Sequence, residues 1–307
     1  MRQFLISTLF IGLVVVGLPA SAQDNHSTII EIEHDGFTYE VIVYVPSSYD
    51  GSTEVPLMLA FHPGFSSAEA MQRLTDFDTL AEESGVIVAY PDSIVGYWDY
   101  GVGLPEWASV NDVRDHLGYA EKVYETLLDQ YAISDVYMAG FSNGSRMVMR
   151  LACEHPDWFA GAGVVAAGIT SEVVSACPEN ASLSIYYEHG TADETVPFEG
   201  KPLTDGGQVI SHALPATDMT TFWAIQNQCE LEPVITDLDD PNPDDLVSVR
   251  EILFDDCATG HSVVFYAMLS GGHSWSGAVT LLQVEDHVPS HNTSRAVWSF
   301  FGLDMEN

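Results

Sequence analysis

Three residue types, set far apart in the chain, could together carry out acyl transfer: Ser142, Asp193 and His273. A serine hydroxyl is a weak nucleophile until a base takes its proton, and the usual base is a histidine oriented by a carboxylate. The serine carries the strongest signal. It lies in Gly140-Phe141-Ser142-Asn143-Gly144, after an apolar stretch of strand type (Asp135 to Ala139) and before one of helical type (Ser145 to Cys153). Strand, Gly-x-Ser-x-Gly, helix is the local context of a nucleophile elbow, where the serine sits on a sharp turn. The chain must pass close to itself there, and Gly140 and Gly144 have no Cβ to obstruct it. The helix that follows would turn its free N–H groups and positive dipole end toward the serine.

On a sheet carrying such an elbow the parts follow in the order serine, acid, histidine. Leu183 to Gly190 reads as a strand, and Thr191-Ala192-Asp193 as the loop at its end, so Asp193 is the expected orienting acid, with Glu194 its nearest rival. Eleven histidines compete for the base. His273 is preferred because Ser270-Gly-Gly-His273 directly follows a strand ending at Leu269, and the glycine pair can swing the imidazole over the serine. His287 and His291 read as surface or capping residues beside the last helix. The developing oxyanion needs two N–H donors. One should be the backbone of Asn143, the residue after the nucleophile. The other should come from His62-Pro63-Gly64-Phe65-Ser66. Pro63 has no N–H, which leaves Gly64 or Phe65, and Gly64 is chosen. His62 is read as holding this loop rather than as a base.

Aromatic residues on loops above such a centre suit a sugar or an aromatic ring. Trp275, two residues after the histidine, and Trp98 and Trp107, in the irregular stretch from Ile94 to Val110, are candidates to line the substrate pocket, with Phe65 beside the oxyanion loop.

Positioning these residues requires short apolar strands alternating with helices. Strands are expected at Phe37 to Val45 (an edge strand), Val55 to Phe61, Val86 to Tyr90, Phe159 to Ala167, Leu183 to His189, Val247 to Phe254 and Ser262 to Leu269. Helices are expected at Ala68 to Ser84, Asp112 to Tyr131, Ala216 to Gln228 and Asn292 to Phe301. The pattern implies an α/β fold with a mostly parallel central sheet covered by helices on both faces. In such sheets the site lies beyond the carboxyl ends of the strands, where the candidate residues fall.

Three segments then carry a resemblance: the elbow with its helix from Ser142 to Cys153, His189-Gly-Thr-Ala-Asp193-Glu-Thr-Val-Pro-Phe198, and Gly271-Gly-His-Ser-Trp-Ser-Gly277. Together they resemble the secreted esterases that include feruloyl esterases, acetyl xylan esterases and polyhydroxybutyrate-depolymerase-like enzymes, over about Phe37 to Phe301. The resemblance implies an α/β-hydrolase fold and a carboxylic-ester hydrolase with a Ser142, Asp193, His273 triad and no cofactor. Two departures stand out. The family's oxyanion loop usually reads His-Gly with further glycines, where this chain has His62-Pro63-Gly64-Phe65; Ser145 replaces the second glycine of the usual Asn-Gly-Gly. Phe65 can therefore reshape the acyl pocket. The expected substrate is an ester-decorated polysaccharide losing a feruloyl or acetyl group. A polyester, cut by the same chemistry, is the alternative. A silent binding protein on the same fold is a third reading.

Residues 1–22 read as a signal peptide: Arg2, an apolar run from Phe4 to Leu18, then Ala20-Ser21-Ala22 as a cleavage site. The remainder, 23–307, reads as one catalytic domain, exported to the periplasm or beyond, with no second apolar run of spanning length. Cys153, Cys177, Cys229 and Cys257 are then expected as disulfides. Of three pairings, Cys153–Cys177 and Cys229–Cys257 close the shorter loops, and the resemblance independently supports the second. No C-x-x-C spacing suggests zinc. The acidic stretch from Asp237 to Asp245 lacks the ordered spacing of a calcium loop and reads as solvated. No metal is expected.

The charge is extreme: 45 acidic residues against 9 basic ones, a net −36. Such a surface repels nucleic acid and anionic membranes, so neither is an expected partner. It is read as an adaptation to saline water, where counterions screen the self-repulsion. The melting temperature should therefore rise as sodium chloride goes from near zero to about 1 M, the Debye length falling to about 3 Å. A flat or falling curve in a thermal-shift series would count against this reading.

Overall fold

The computed structural model describes residues 26–102, 114–205, 208–239, 247–278 and 291–304. The expected signal peptide, Trp107, His287 and positions 240–245 of the acidic stretch lie outside the described residues.

In chain order the first elements are β1 (Ser27–His34), β2 (Phe37–Tyr44), β3 (Val55–Phe61), α1 (Ala68–Thr75), α2 (Phe77–Ser84), β4 (Ile87–Pro91) and α3 (His116–Gln130). Then come β5 (Ile133–Phe141), α4 (Asn143–Glu154), β6 (Gly161–Val165), α5 (Ser171–Ala176), β7 (Ser184–Gly190), and a hairpin of β8 (Lys201–Asp205) and β9 (Gln208–Ala213). The chain closes with α6 (Ala216–Gln226), β10 (Val234–Asp237), β11 (Ser248–Phe254), β12 (Val263–Leu269) and α7 (Thr293–Phe300).

Ten strands form one sheet in the order β1-β2-β4-β3-β5-β6-β7-β12-β11-β10. The run from β4 to β12 is parallel, and antiparallel strands extend it at both ends. Period-two alternation explains how one strand serves two faces. In β3, Leu57, Leu59 and Phe61 enter one core with residues of α3, α4, α5 and α6; Met58 and Ala60 enter the other with residues of α1, α2 and α7. This is the expected α/β architecture, a mixed and mostly parallel sheet with helices on both faces.

Sequence expectation and structure differ in places that have physical reasons. The segment Phe37–Tyr44 is not the edge, because β1 pairs outside it. The expected helix from Ala68 to Ser84 is two helices, broken at Asp76. That residue adopts φ 51°, and its N–H caps the Gln72 carbonyl. The hairpin β8–β9 was not foreseen; it stands apart from the main sheet. Asp237, first of the acidic stretch, is paired with Arg250 at 2.7 Å across β10 and β11.

Both favoured disulfides are present. Cys153, in α4, joins Cys177 after α5; Cys229, after α6, joins Cys257 between β11 and β12. They span 24 and 28 residues. Chain-entropy reasoning assigns loops of that size about 3.5 kcal/mol each. Replacing Cys229 and Cys257 together by serine should lower the urea unfolding free energy by about that amount.

Candidate active site

Strand β5 runs into α4 through a single residue, Ser142, with φ 54° and ψ −115°. The turn is as tight as the glycines imply. A Cβ on Gly140 would stand 2.6 Å from the Gly144 carbonyl carbon, and one on Gly144 would run into the Phe61 and His62 carbonyls. Local hydrogen bonds hold the turn. Ser142 N–H donates to the Val165 carbonyl at 2.8 Å. Ser145, the residue that departs from the family pattern, accepts the Val165 N–H at 2.9 Å and can give its own proton to the Gly140 carbonyl at 2.6 Å. Its hydroxyl thus ties the turn to β6 where a glycine could not.

The loop after β7 places Asp193 beside His273. Asp193 Oδ2 is 2.7 Å from His273 Nδ1, and its Oδ1 accepts the Thr195 and Val196 N–H groups, both at 2.8 Å. Burial works against the Asp193 charge. Hydrogen bonds from His189 and His273, the His273 field and the Val196 N–H outweigh it and hold the carboxyl far below its ordinary 3.8. Asp193 therefore stays ionised and keeps the Nδ1 proton in place, which leaves Nε2 as the basic atom. The His273 ring stacks on Phe141, centroids 5.0 Å apart. Ser142 and His273 line one cavity of about 620 Å³. No hydrogen bond joins them in this structure, a looseness common in unliganded sites.

The loop after β3 supplies the opposite wall. His62 is buried, with Nδ1 2.8 Å from the Pro63 carbonyl and Nε2 accepting the Ser93 N–H at 3.2 Å. Burial lowers its pKa, which suits a neutral ring with its proton on Nδ1. The Phe65 N–H is spent on the Gly96 carbonyl at 2.7 Å. Among the described residues neither the Gly64 nor the Asn143 N–H has an acceptor, so these two donors are left at the cavity, which both residues line. Asn143 also braces this wall: its Oδ1 accepts the Trp98 N–H at 2.7 Å and its Nδ2 donates to the Trp98 carbonyl at 3.1 Å.

Of the aromatic candidates, Phe65 lines the cavity, 80% exposed and held at φ 60°. Two others are corrections. Trp98 is fully buried, its indole N–H donating to the His62 carbonyl and its ring against Phe61 and His116. Trp275 is 3% exposed, bonded to Ser294 Oγ at 2.9 Å and packed on Phe77 and Phe141. Neither lines the cavity. A large aromatic body with one polar tip found a partner inside the fold, and proximity to His273 in sequence did not set its direction. His291 is a third correction. It is neither exposed nor a cap but buried, its Nε2 3.0 Å from Glu188 Oε2.

Glu188 itself went unnoticed in the sequence. Buried on β7, it accepts from Tyr186, Ser276 and Thr293 besides facing His291. Burial opposes its charge, and His291 with these donors lowers its pKa nonetheless. It ties the segment after His273 to the start of α7. A polar residue interrupting an apolar strand was the available signal. Lys201, Pro202, Leu203 and Thr204 of β8 also line the cavity and were unforeseen, as was Arg146.

No family model matches the chain. The relative described as "Putative esterase NocK", from Nocardia uniformis subsp. tsuyamanensis, is 30% identical over 242 residues, 72% of this chain and 66% of that protein. Feruloyl esterase B of Thermothelomyces thermophilus is 31% identical over 55% of this chain and 58% of the relative. The match thus spans under two thirds of either relative's length. An acetyl xylan esterase from Aspergillus awamori shares the fold, with a TM-score of 0.57 at 15% identity, over 90% of this chain and 99% of that one. The chain belongs to the α/β-hydrolase esterases related to feruloyl esterase B and acetylxylan esterase.

Because Trp275 fills a core site behind the His273 loop, Trp275→Ala should cost about 3–5 kcal/mol of stability. At a temperature where the variant stays folded, kcat/KM should fall by a similar factor for small and bulky esters. Selective loss on bulky esters would place the ring in the pocket after all.

Proposed function

We propose that the protein is an exported serine esterase that removes feruloyl or acetyl groups from polysaccharide through an acyl-enzyme. The observation that carries this reading is the 2.7 Å contact of a buried, ionised Asp193 with His273, on the cavity where the elbow presents Ser142. In the reaction Ser142 Oγ attacks the ester carbonyl while His273 Nε2 takes its proton. The N–H groups of Asn143 and Gly64 receive the charge that develops on the carbonyl oxygen. His273 returns the proton to the departing alcohol, and a water molecule repeats the sequence on the acyl-serine. The positive end of α4 favours the same oxyanion. Relatives named as feruloyl and acetylxylan esterases support the acyl groups and the polysaccharide; the two disulfides support an oxidising compartment.

A fluorescent alkyl phosphonate should label Ser142 and no other residue, as read by peptide mass spectrometry. Ser142→Ala should abolish labelling and turnover, and Asp193→Asn should lower kcat by about 10⁴ through the wrong imidazole tautomer. Unimpaired Asp193→Asn would remove Asp193 from the mechanism. A panel of methyl ferulate, acetylated xylan, short nitrophenyl esters and polyester film then decides the substrate. Turnover of polyester alone would overturn the polysaccharide reading.

A further inference from the structure

Arg146 lies in the first turn of α4, four residues after Ser142, which immediately precedes the helix. Side chains on a helix lean toward its N-terminus, and Arg146 accordingly lines the cavity that holds Ser142 and His273. It is 7% exposed. Its neighbours are tyrosines: Nη1 donates to the Tyr100 hydroxyl at 3.2 Å, and the guanidinium sits 5.5 Å from the Tyr100 ring centroid. Nε is buried and has no partner, and no carboxylate pairs with Arg146 among the described residues.

This is anomalous in a chain with 45 acidic residues and 9 basic ones. Arg73, Arg150, Arg250 and Arg295, all more exposed, each have a carboxylate partner: Glu69, Glu154, Asp237 and Glu83. Arg146 is more buried than these four, yet among the described residues no carboxylate pairs with it. Burying a cation with no opposite charge beside it is unfavourable, and this acidic chain has carboxylates in plenty. Lys201 stands on the same cavity, its Nζ bound to the Thr195 carbonyl at 2.7 Å and likewise without a carboxylate among the described residues. Two of the nine basic residues therefore face the space where the ester must lie, against a global field that repels anions.

We propose that Arg146, assisted by Lys201, binds a carboxylate on the substrate close to the scissile ester. A planar, delocalised guanidinium can direct more than one N–H at a carboxylate, a match an ammonium does not offer. The substrate class is an ester bearing a free carboxylate, on the acyl side as in a monoester of a dicarboxylic acid, or on the alcohol side as in an ester of a hydroxy acid or an acidic sugar. The inference rests on the reading of Ser142 as nucleophile.

The test uses ester pairs in which a carboxylate replaces a methyl group. Monoethyl glutarate against ethyl pentanoate probes the acyl side; 3-acetoxybenzoate against 3-methylphenyl acetate probes the alcohol side. Assays run in about 0.15 M salt, where the protein's global field reaches only about 8 Å. The native chain should prefer the charged member of at least one pair by about 10-fold in kcat/KM. Arg146→Gln should lower that ratio about 10-fold, and Lys201→Gln by less. Arg146→Lys, which keeps the charge and loses the planar guanidinium, should fall between and serves if Arg146→Gln does not fold. Phosphonate labelling of Ser142 accompanies each assay. Normal labelling with no preference in the native chain, or with a ratio unmoved by Arg146→Gln and Arg146→Lys, overturns the carboxylate site alone. Failure of the native chain to label overturns the nucleophile reading and this inference with it.

Discussion

The structure depends on one backbone turn. Ser142 occupies φ 54° and ψ −115°, a region that costs a non-glycine residue about 1–3 kcal/mol and persists only where its surroundings dictate it. Here they do. Gly140 and Gly144 let β5, the start of α4 and the end of β3 converge, and the Ser145 hydroxyl bonds across to β6. Every other part of the site is placed relative to that turn. Asn143 starts α4 and reaches over to Trp98; Arg146 lies one turn further on; Phe141 precedes it and stacks on His273.

Two buried carboxylates then fix the histidine loop from different sides. Asp193 orients the imidazole itself. Glu188, five residues earlier, holds Ser276, three residues beyond His273, and also Thr293 and His291. Both stay charged in the interior because each collects enough donors to offset the loss of water. Removing a single donor would leave part of that loss uncompensated, which makes these networks stiff.

The placement of Ser142, Asp193 and His273 was more legible in the sequence than the walls around them, for a physical reason. The elbow, the acid loop and the histidine loop each combine a short motif with an adjoining strand, so local composition constrains local geometry, and the alternation of apolar strands and helices states the layer order. The directions of Trp98 and Trp275 are not local. Each indole was settled by a partner remote in sequence, the His62 carbonyl for one and Ser294 for the other. The buried state of His291 likewise follows from a strand 103 residues away. The β8–β9 hairpin was missed because its strands pair mainly with each other, β9 meeting the rest of the fold at a bridge from Ala213 to Thr170, and because it lacks a strong apolar alternation. Arg146 was legible in principle, since it stands four residues after the serine on the expected helix.

The disulfides also divide the molecule unequally. Cys153 and Cys177 join α4 to the end of α5; Cys229 and Cys257 fasten the end of α6 to the link between β11 and β12. All three helices pack on the same face of the sheet, whereas α1, α2 and α7 cover the other by side-chain contacts alone. The protein is thus stitched along one side and merely pressed along the other. Partial opening has an easier route where no covalent bond limits it. The pressed side holds Ser294 and Thr293, the anchors of Trp275 and Glu188 behind the histidine loop. Loosening there would release the His273 loop while Ser142, on the stitched side, keeps its turn.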